Sequence, residues 1–190
     1  MPDYYQKNYK TYHEKTFFVD PASFLTPFAE KLKPGATILD IGCGSGRDLL
    51  WLKKRGFKVI GFERSPGLAG LAEKNAGCKV IEGDFETYDF SDLQADGLLS
   101  AGSLVHTQPA KLPILLENIT NCTRASVVYL SLKQGDGVKT DDDGRTFYLW
   151  DDKDLRNLFE RLALRVIDSS KNPSLVNHHD IWLGYVLEKF

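Results

Sequence analysis

Cysteine is scarce in this chain: three among 190 residues, Cys43, Cys78 and Cys122, odd in number and far apart. No Cys-x-x-Cys pair occurs, so the ligand spacing of a structural zinc site is missing, and unpaired thiols point to a reducing compartment. An excess of one charge is missing too. Lys and Arg number 24 against 26 Asp and Glu, for a net charge of −2. That leaves no basic footprint for nucleic acid. The one tight basic cluster, Lys53, Lys54 and Arg55, reads as the solvated C-terminal end of a helix. Long hydrophobic runs are absent as well. Nothing approaches the roughly 18 apolar residues of a membrane span, and the opening MPDYYQKNYKTYHEKT has no apolar signal core. The expectation is a cytoplasmic protein with no membrane or nucleic-acid partner, either a monomer or a homodimer.

What is present is a short apolar run, one carboxylate and three alternating glycines, ATILDIGCGSG over residues 36–46. A strand that breaks into Gly42, Gly44 and Gly46 and resumes as a helix lets a ligand approach the backbone closely, since glycine has no Cβ and tolerates positive φ. The helix behind offers free N–H groups. Asp40 sits just before the first glycine, where it would repel a pyrophosphate and suit a cationic amine or sulfonium. About 20 residues on, a second apolar run ends in Glu63, placed to accept from both hydroxyls of a ribose. Val80 and Ile81 then lead into EGDF, so Asp84 is expected to end a third strand, accepting from an adenine amine while Phe85 stacks on the ring. Three acids in this order suit an adenosine that carries a positive charge and no phosphate.

The segments ILDIGCGSGRD, VIGFERS and VIEGDF together resemble the class I S-adenosylmethionine-dependent methyltransferases. LLSAGSLVHTQP resembles the fourth-strand segment of the small-molecule members, and DDDGRTFYLWDDKDL a segment of a compact bacterial group. The resemblance runs from about Tyr4 to the end. It implies S-adenosyl-L-methionine as cofactor, S-adenosyl-L-homocysteine as product and a small-molecule acceptor. It also implies a cofactor set of Asp40, Gly42, Cys43, Gly44, Gly46, Glu63, Arg64, Asp84, Phe85, Ala101 and Gly102.

Alternating strands and helices predict an α/β, Rossmann-like domain with helices on both faces of the sheet. Strands are expected at about 36–40, 57–62, 78–82, 95–101, 125–132, 163–170 and 180–188, and helices at about 47–55, 66–76, 109–122 and 151–162. The last two strands have too short a connection for a crossover helix, so they pair antiparallel. The resemblance implies the sheet order 3-2-1-4-5-7-6. Residues 1–34 form a separate helical cap on the core of 35–190. The aromatics Tyr4, Tyr5, Tyr9 and Tyr12 there serve as packing, as a lid over substrate, or as both. A further helix has Asp20 as N-cap and Pro21 at its first position, and buries Phe24, Leu25, Phe28 and Leu32.

Methyl transfer from a sulfonium needs a base only if the acceptor must lose a proton. His106, on the loop that faces the methyl group in the resembled families, is the catalytic candidate; the alternative is a histidine that shapes the pocket. Tyr5, Tyr12, Arg145 and Tyr148 are the substrate candidates, with Arg145 pairing an anionic group. Asp141, Asp142 and Asp143 are adjacent and diverge, a solvated turn rather than a metal loop. His178 and His179 point oppositely if extended, so no metal is expected. Cys43 reads as a small residue tolerated beside the cofactor. Two other classes stay open: a non-catalytic S-adenosylmethionine-binding module and a nicotinamide oxidoreductase. The second is disfavoured by Asp40, by GxGxG in place of GxGxxG and by the final hairpin. A nucleic-acid methyltransferase would carry an Asn/Asp-Pro-Pro-aromatic motif where SAGSLV stands.

Overall fold

Apolar side chains alternate along the central strands, and the alternation divides the core. In a computed structural model that describes residues 2–176 and 179–189, Ile38 packs into one cluster and Leu39 into another on the opposite face. Val127 and Tyr129 go one way, Val128 and Leu130 the other. Such doubly buried strands need helices on both faces, and the chain supplies them.

The sheet has seven strands. β1 (Thr37–Ile41), β2 (Lys58–Glu63), β3 (Val80–Glu82), β4 (Gly97–Ala101) and β5 (Val127–Lys133) run parallel. β6 (Val138–Thr140) and β7 (Thr146–Tyr148) form a separate two-stranded hairpin. β8 (Leu164–Pro173) and β9 (Ile181–Lys189) pair antiparallel, and β9 adds antiparallel to β5. The order is β3-β2-β1-β4-β5-β9-β8. Counting only the seven sheet strands, this is the expected 3-2-1-4-5-7-6. The order in which strands are added reverses between β1 and β4, which themselves run parallel, and the C-terminal ends of the parallel strands open there.

One face carries α3 (Ala22–Ala29), α4 (Arg47–Lys53) and α5 (Pro66–Ala76), through Leu25, Phe28, Leu49, Leu52 and Ala72. The other carries α6 (Leu112–Thr123) and α7 (Asp152–Arg161), through Leu112, Leu116, Leu155 and Phe159. Ser65 caps α5 by accepting from Leu68 N, Gly77 ends it in the left-handed region, and Asp151 caps α7 from Lys153 N. Lys53 is more than solvated: its Nζ donates to Ala76 O at 2.9 Å and Gly77 O at 2.6 Å, closing the end of α5.

Two expectations change. The N-terminal aromatic segment is two short helices, α1 (Pro2–Lys7) and α2 (Tyr9–Thr16), broken at Asn8. The helix at Asp20 starts one residue later than expected; Asp20 Oδ1 accepts from Ala22 N at 3.0 Å, and Pro21 occupies the cap position. His178 lies outside the described residues.

Candidate active site

The glycine turn is tied down by one carboxylate. Glu63, at the end of β2 and 8% exposed, accepts from Gly44 N at 3.0 Å through Oε2 and from Arg64 N and Ser65 N at 2.9 Å through Oε1. Burial pushes its pKa up, against the pull of those three N–H groups. Asp40, on β1, is 2% exposed, and its Oδ2 is buried without a partner. Burial first, and the Asp48 carboxylate second, raise its pKa well above the carboxylate range. A buried acceptor left without a donor is uncommon, and an ammonium or sulfonium beside it would supply the missing interaction.

The glycines do different work. Gly44 (φ +56°) faces open space: a Cβ there would meet only the Tyr12 ring, at 3.6 Å. Gly46 (φ +85°) faces the protein, and a Cβ would lie 2.8 Å from Ala72 Cα on α5. The first leaves room for a ligand and the second for helix packing.

From Gly44 a cleft of about 570 Å³ runs along the C-terminal edge of the sheet. Gly42, Cys43, Gly44, Ser45, Ala101 and Gly102 line its floor, and Tyr5 and Tyr12 stand over it. The cap is fastened beside Glu63: Gln6 Oε1 accepts from Gly67 N at 3.0 Å and from Ser65 Oγ at 2.8 Å. The far end holds charge. Lys133 Nζ, at the end of the fully buried β5, meets Asp180 Oδ2 at 2.7 Å and lies 3.6 Å over the Phe147 ring. Lys139 Nζ meets Asp180 Oδ1 at 2.8 Å. Asp141 holds Arg145 through its backbone N at 2.8 Å and its side chain at 2.8 Å (Nε) and 2.7 Å (Nη2). His106 closes the 3₁₀ turn Leu104–His106 after β4. Its Nδ1 meets Thr146 O at 2.5 Å, and its Nε2 meets Tyr5 Oη at 2.7 Å.

Residues 38–126 match the family of methyltransferase domains. Across 98% of this chain and 84% of the other, the fold superposes with a TM-score of 0.77 on a Burkholderia thailandensis 1,6-didemethyltoxoflavin-N1-methyltransferase solved with that compound and S-adenosylhomocysteine bound, at 20% identity. The chain thus has the Rossmann-like fold of that methyltransferase. Among curated proteins, maize phosphoethanolamine N-methyltransferase 1 is 36% identical over 90 residues, 43% of this chain and 18% of that protein. A Pyrococcus horikoshii tRNA (uracil(54)-C(5))-methyltransferase is 26% identical over 125 residues, 63% of this chain and 30% of that protein. The chain spans less than half the length of the curated relatives it matches; the aligned share of those proteins runs from 18 to 42%. The tRNA relative removes the ground for excluding nucleic acid on charge alone.

Within this methyltransferase fold the expected residues divide. Gly42, Cys43, Gly44, Ala101 and Gly102 line the cleft at the strand ends, while Asp40 and Glu63 sit at the ends of their strands but are buried outside that lining. The Cys43 thiol is buried, which pushes its pKa up and away from reactivity. Gly46 turns away into packing. Asp84 lies past the end of β3, with Oδ2 on Arg64 Nη1 at 2.9 Å and Oδ1 on Glu86 N at 3.0 Å. Arg64 is thereby the partner of Asp84, and Phe85 packs against the core. Neither Asp84 nor Phe85 lines the cleft, because β3 is three residues long and stops before them. Tyr148, on β7 opposite Val138, also lies outside the lining. Asp141 is no free solvated carboxylate but the anchor of Arg145, and Asp143 accepts from Tyr4 Oη at 3.0 Å.

Sequence reasoning missed Arg47, Lys133, Lys139, Asp180 and Trp182, all in the lining. Lys133 left a legible signal: a lysine closing the otherwise uncharged run VVYLSL is unusual in a buried strand. Arg47 left one too, as a cation immediately after the glycines.

Proposed function

We propose that this chain binds S-adenosylmethionine across the strand ends and transfers its methyl group to a small-molecule acceptor held in the same cleft. The observation that carries the reading is the unpartnered, buried Oδ2 of Asp40 beside a glycine turn whose Gly44 leaves open space. Asp40 would face the amine or sulfonium, Glu63 the ribose through the lone pairs its backbone donors leave free, and Gly42 to Ser45 the backbone contacts. Bound there, S-adenosylmethionine supplies an electrophilic methyl group: the acceptor's electron pair forms the new bond as the C–S pair returns to sulfur. The chain's own residues position the acceptor and exclude water. Tyr5 and Tyr12 cover the cleft, while Arg145 and Lys133 present cations at its far end.

The small-molecule reading draws support from the enclosure by the cap and from the Burkholderia neighbour with its bound compound. Calorimetry tests the cofactor. Micromolar binding of S-adenosylmethionine and S-adenosylhomocysteine is expected, about −7 to −8 kcal/mol; tighter binding of a nicotinamide dinucleotide would overturn the reading. Conversion of S-adenosylmethionine to S-adenosylhomocysteine against a metabolite panel and against tRNA separates an enzyme from a binding module, and a small acceptor from a nucleic acid.

A further inference from the structure

Two side chains from distant parts of the chain meet at the acceptor end of the cleft. Tyr5 comes from α1 and His106 from the turn after β4, 101 positions later, and Oη to Nε2 is 2.7 Å. The direction of that bond is fixed by the other ring nitrogen. Nδ1 faces the carbonyl oxygen of Thr146, which only accepts, so Nδ1 carries the hydrogen. Nε2 of the neutral ring is then an acceptor, and Tyr5 donates to it. Of the two residues Tyr5 lines the cleft, and His106 stands behind it. Burial first, and the neighbouring Tyr12 second, push the Tyr5 pKa up and keep its hydroxyl protonated as a donor to Nε2; the Arg145 guanidinium against the hydroxyl pulls the other way and partly offsets that rise.

We propose that the Tyr5 hydroxyl takes the proton from the methyl acceptor while passing its own proton to His106 Nε2, so that the acceptor belongs to the O–H or N–H compounds that must lose a proton on methylation. The inference rests on the methyl-transfer reading above. The balance is simple. The acceptor's X–H bond breaks and leaves its electron pair on X for the new bond to carbon. The released proton joins Tyr5 Oη as the Oη–H bond opens toward Nε2. His106 ends as an imidazolium held by Thr146 O, and returns its proton to water between turnovers. Tyr5 is thus the catalytic residue, and His106 the positioning residue and proton store.

The surroundings keep His106 ready to accept. It faces Tyr5 from α1, Arg145 and Asp141 from the β6–β7 hairpin and Lys133 from β5, with the Phe147 ring at 4.8 Å. Burial, with Arg145 and Lys133 adding to it, moves its pKa below the ordinary histidine value, against the pull of Thr146 O and Asp141. The ring is therefore neutral at neutral pH, and turnover should fall only as pH drops below about 6.5.

The test uses the full chain. Phenols and heteroaromatic N–H compounds serve as proton-bearing probes, iodide and dimethyl sulfide as probes with no proton to lose. Methylation of the first group is expected. Tyr5→Phe should lower kcat about 100-fold, with the KM for S-adenosylmethionine within threefold of wild type. His106→Asn should lower kcat similarly and remove the acidic limb of the pH profile. Nitrogen NMR of His106 adds a readout that needs no turnover: the wild type should show the Nδ1–H tautomer, and Tyr5→Phe should raise the His106 pKa. Turnover confined to iodide or dimethyl sulfide, or no turnover of any probe while S-adenosylhomocysteine still binds, would overturn the proposal. So would a wild-type kcat in Tyr5→Phe or an unchanged His106 titration. Loss of S-adenosylhomocysteine binding by the wild type would instead sink the methyl-transfer reading, with the NMR pairing intact.

Discussion

The glycine-turn end of the cleft comes from one stretch, residues 40–65, and its hydrogen bonds are mostly backbone N–H groups on a single carboxylate, Glu63. The opposite end draws Tyr5, His106, Lys133, Arg145 and Asp180 from separate parts of the chain, and most of its contacts join side chain to side chain. A site made of backbone is sensitive to conformation and tolerant of neighbouring side chains. A site made of side chains can be rebuilt one substitution at a time. One fold can thereby keep a common donor site while changing the acceptor it serves.

The largest expected effect probes the backbone-built end. Glu63→Ala removes a carboxylate placed for two ribose bonds, together about 2–4 kcal/mol, so S-adenosylhomocysteine affinity should fall roughly 30- to 1,000-fold by calorimetry. An effect below threefold would place the ribose elsewhere. The substitution also frees three backbone donors, so the melting temperature should fall as well, coupling binding to stability.

At the side-chain end the two should separate. Lys133→Ala leaves Asp180 buried with Lys139 as its partner, and a stability loss of about 2–3 kcal/mol is expected in chemical denaturation, short of the full cost of orphaning a buried charge. Affinity for S-adenosylhomocysteine should stay within threefold. A larger affinity loss would mean that the two ends are not independent.

The glycines offer a finer comparison. Gly46→Ala puts a Cβ against Ala72 at a strained φ, which costs about 1–3 kcal/mol of stability. Gly44→Ala has room, so about 1 kcal/mol of backbone strain is expected, with the heavier loss in cofactor affinity. The reverse ranking by denaturation and calorimetry would mean that Gly46, not Gly44, faces the ligand.

The smallest effect concerns pH. The pKa of Asp40 is raised in the folded protein, so its contribution to stability is present at low pH and is lost as pH rises past the unfolded value, about 3.9, through the folded one. The pKa of His106 is lowered, so its contribution is present above about 6.5 and is lost as pH falls below that value. Asp40→Asn should therefore stabilise the free protein at neutral pH, by about 1 kcal/mol, while weakening S-adenosylmethionine. Wild-type binding should release protons, read as heats that differ between phosphate and imidazole buffers at the same pH. Asp40→Asn that destabilises at neutral pH, or proton uptake on binding, would mean Asp40 has a partner that keeps it charged.

The strand-end placement of Asp40 and Glu63 was legible because such a position is a local property. Asp40 and Glu63 follow apolar runs, and both sit at the sheet edge. Asp84 instead lies two residues past the end of its strand. The run before it is too short to carry a strand that far, and Arg64, brought alongside by the β2–β3 pairing, captures its carboxylate. The β6–β7 hairpin escaped notice because each strand has three residues and β6 is exposed throughout, leaving no period to read. The alternation of strands and helices marked the α/β class, and the resemblance supplied the sheet order.

The sequence by itself determined the strand-turn-helix at Gly42 to Gly46, the alternating apolar strands and the two acids at their ends, because backbone freedom and side-chain period act between near neighbours. Only the tertiary structure decided that Tyr5 meets His106, that Lys133 and Lys139 share Asp180, and that Arg145 belongs to Asp141 inside the cleft. Those contacts depend on which elements the sheet order and the cap bring together, and the cost of ordering distant segments is met by the core as a whole rather than by the residues that touch.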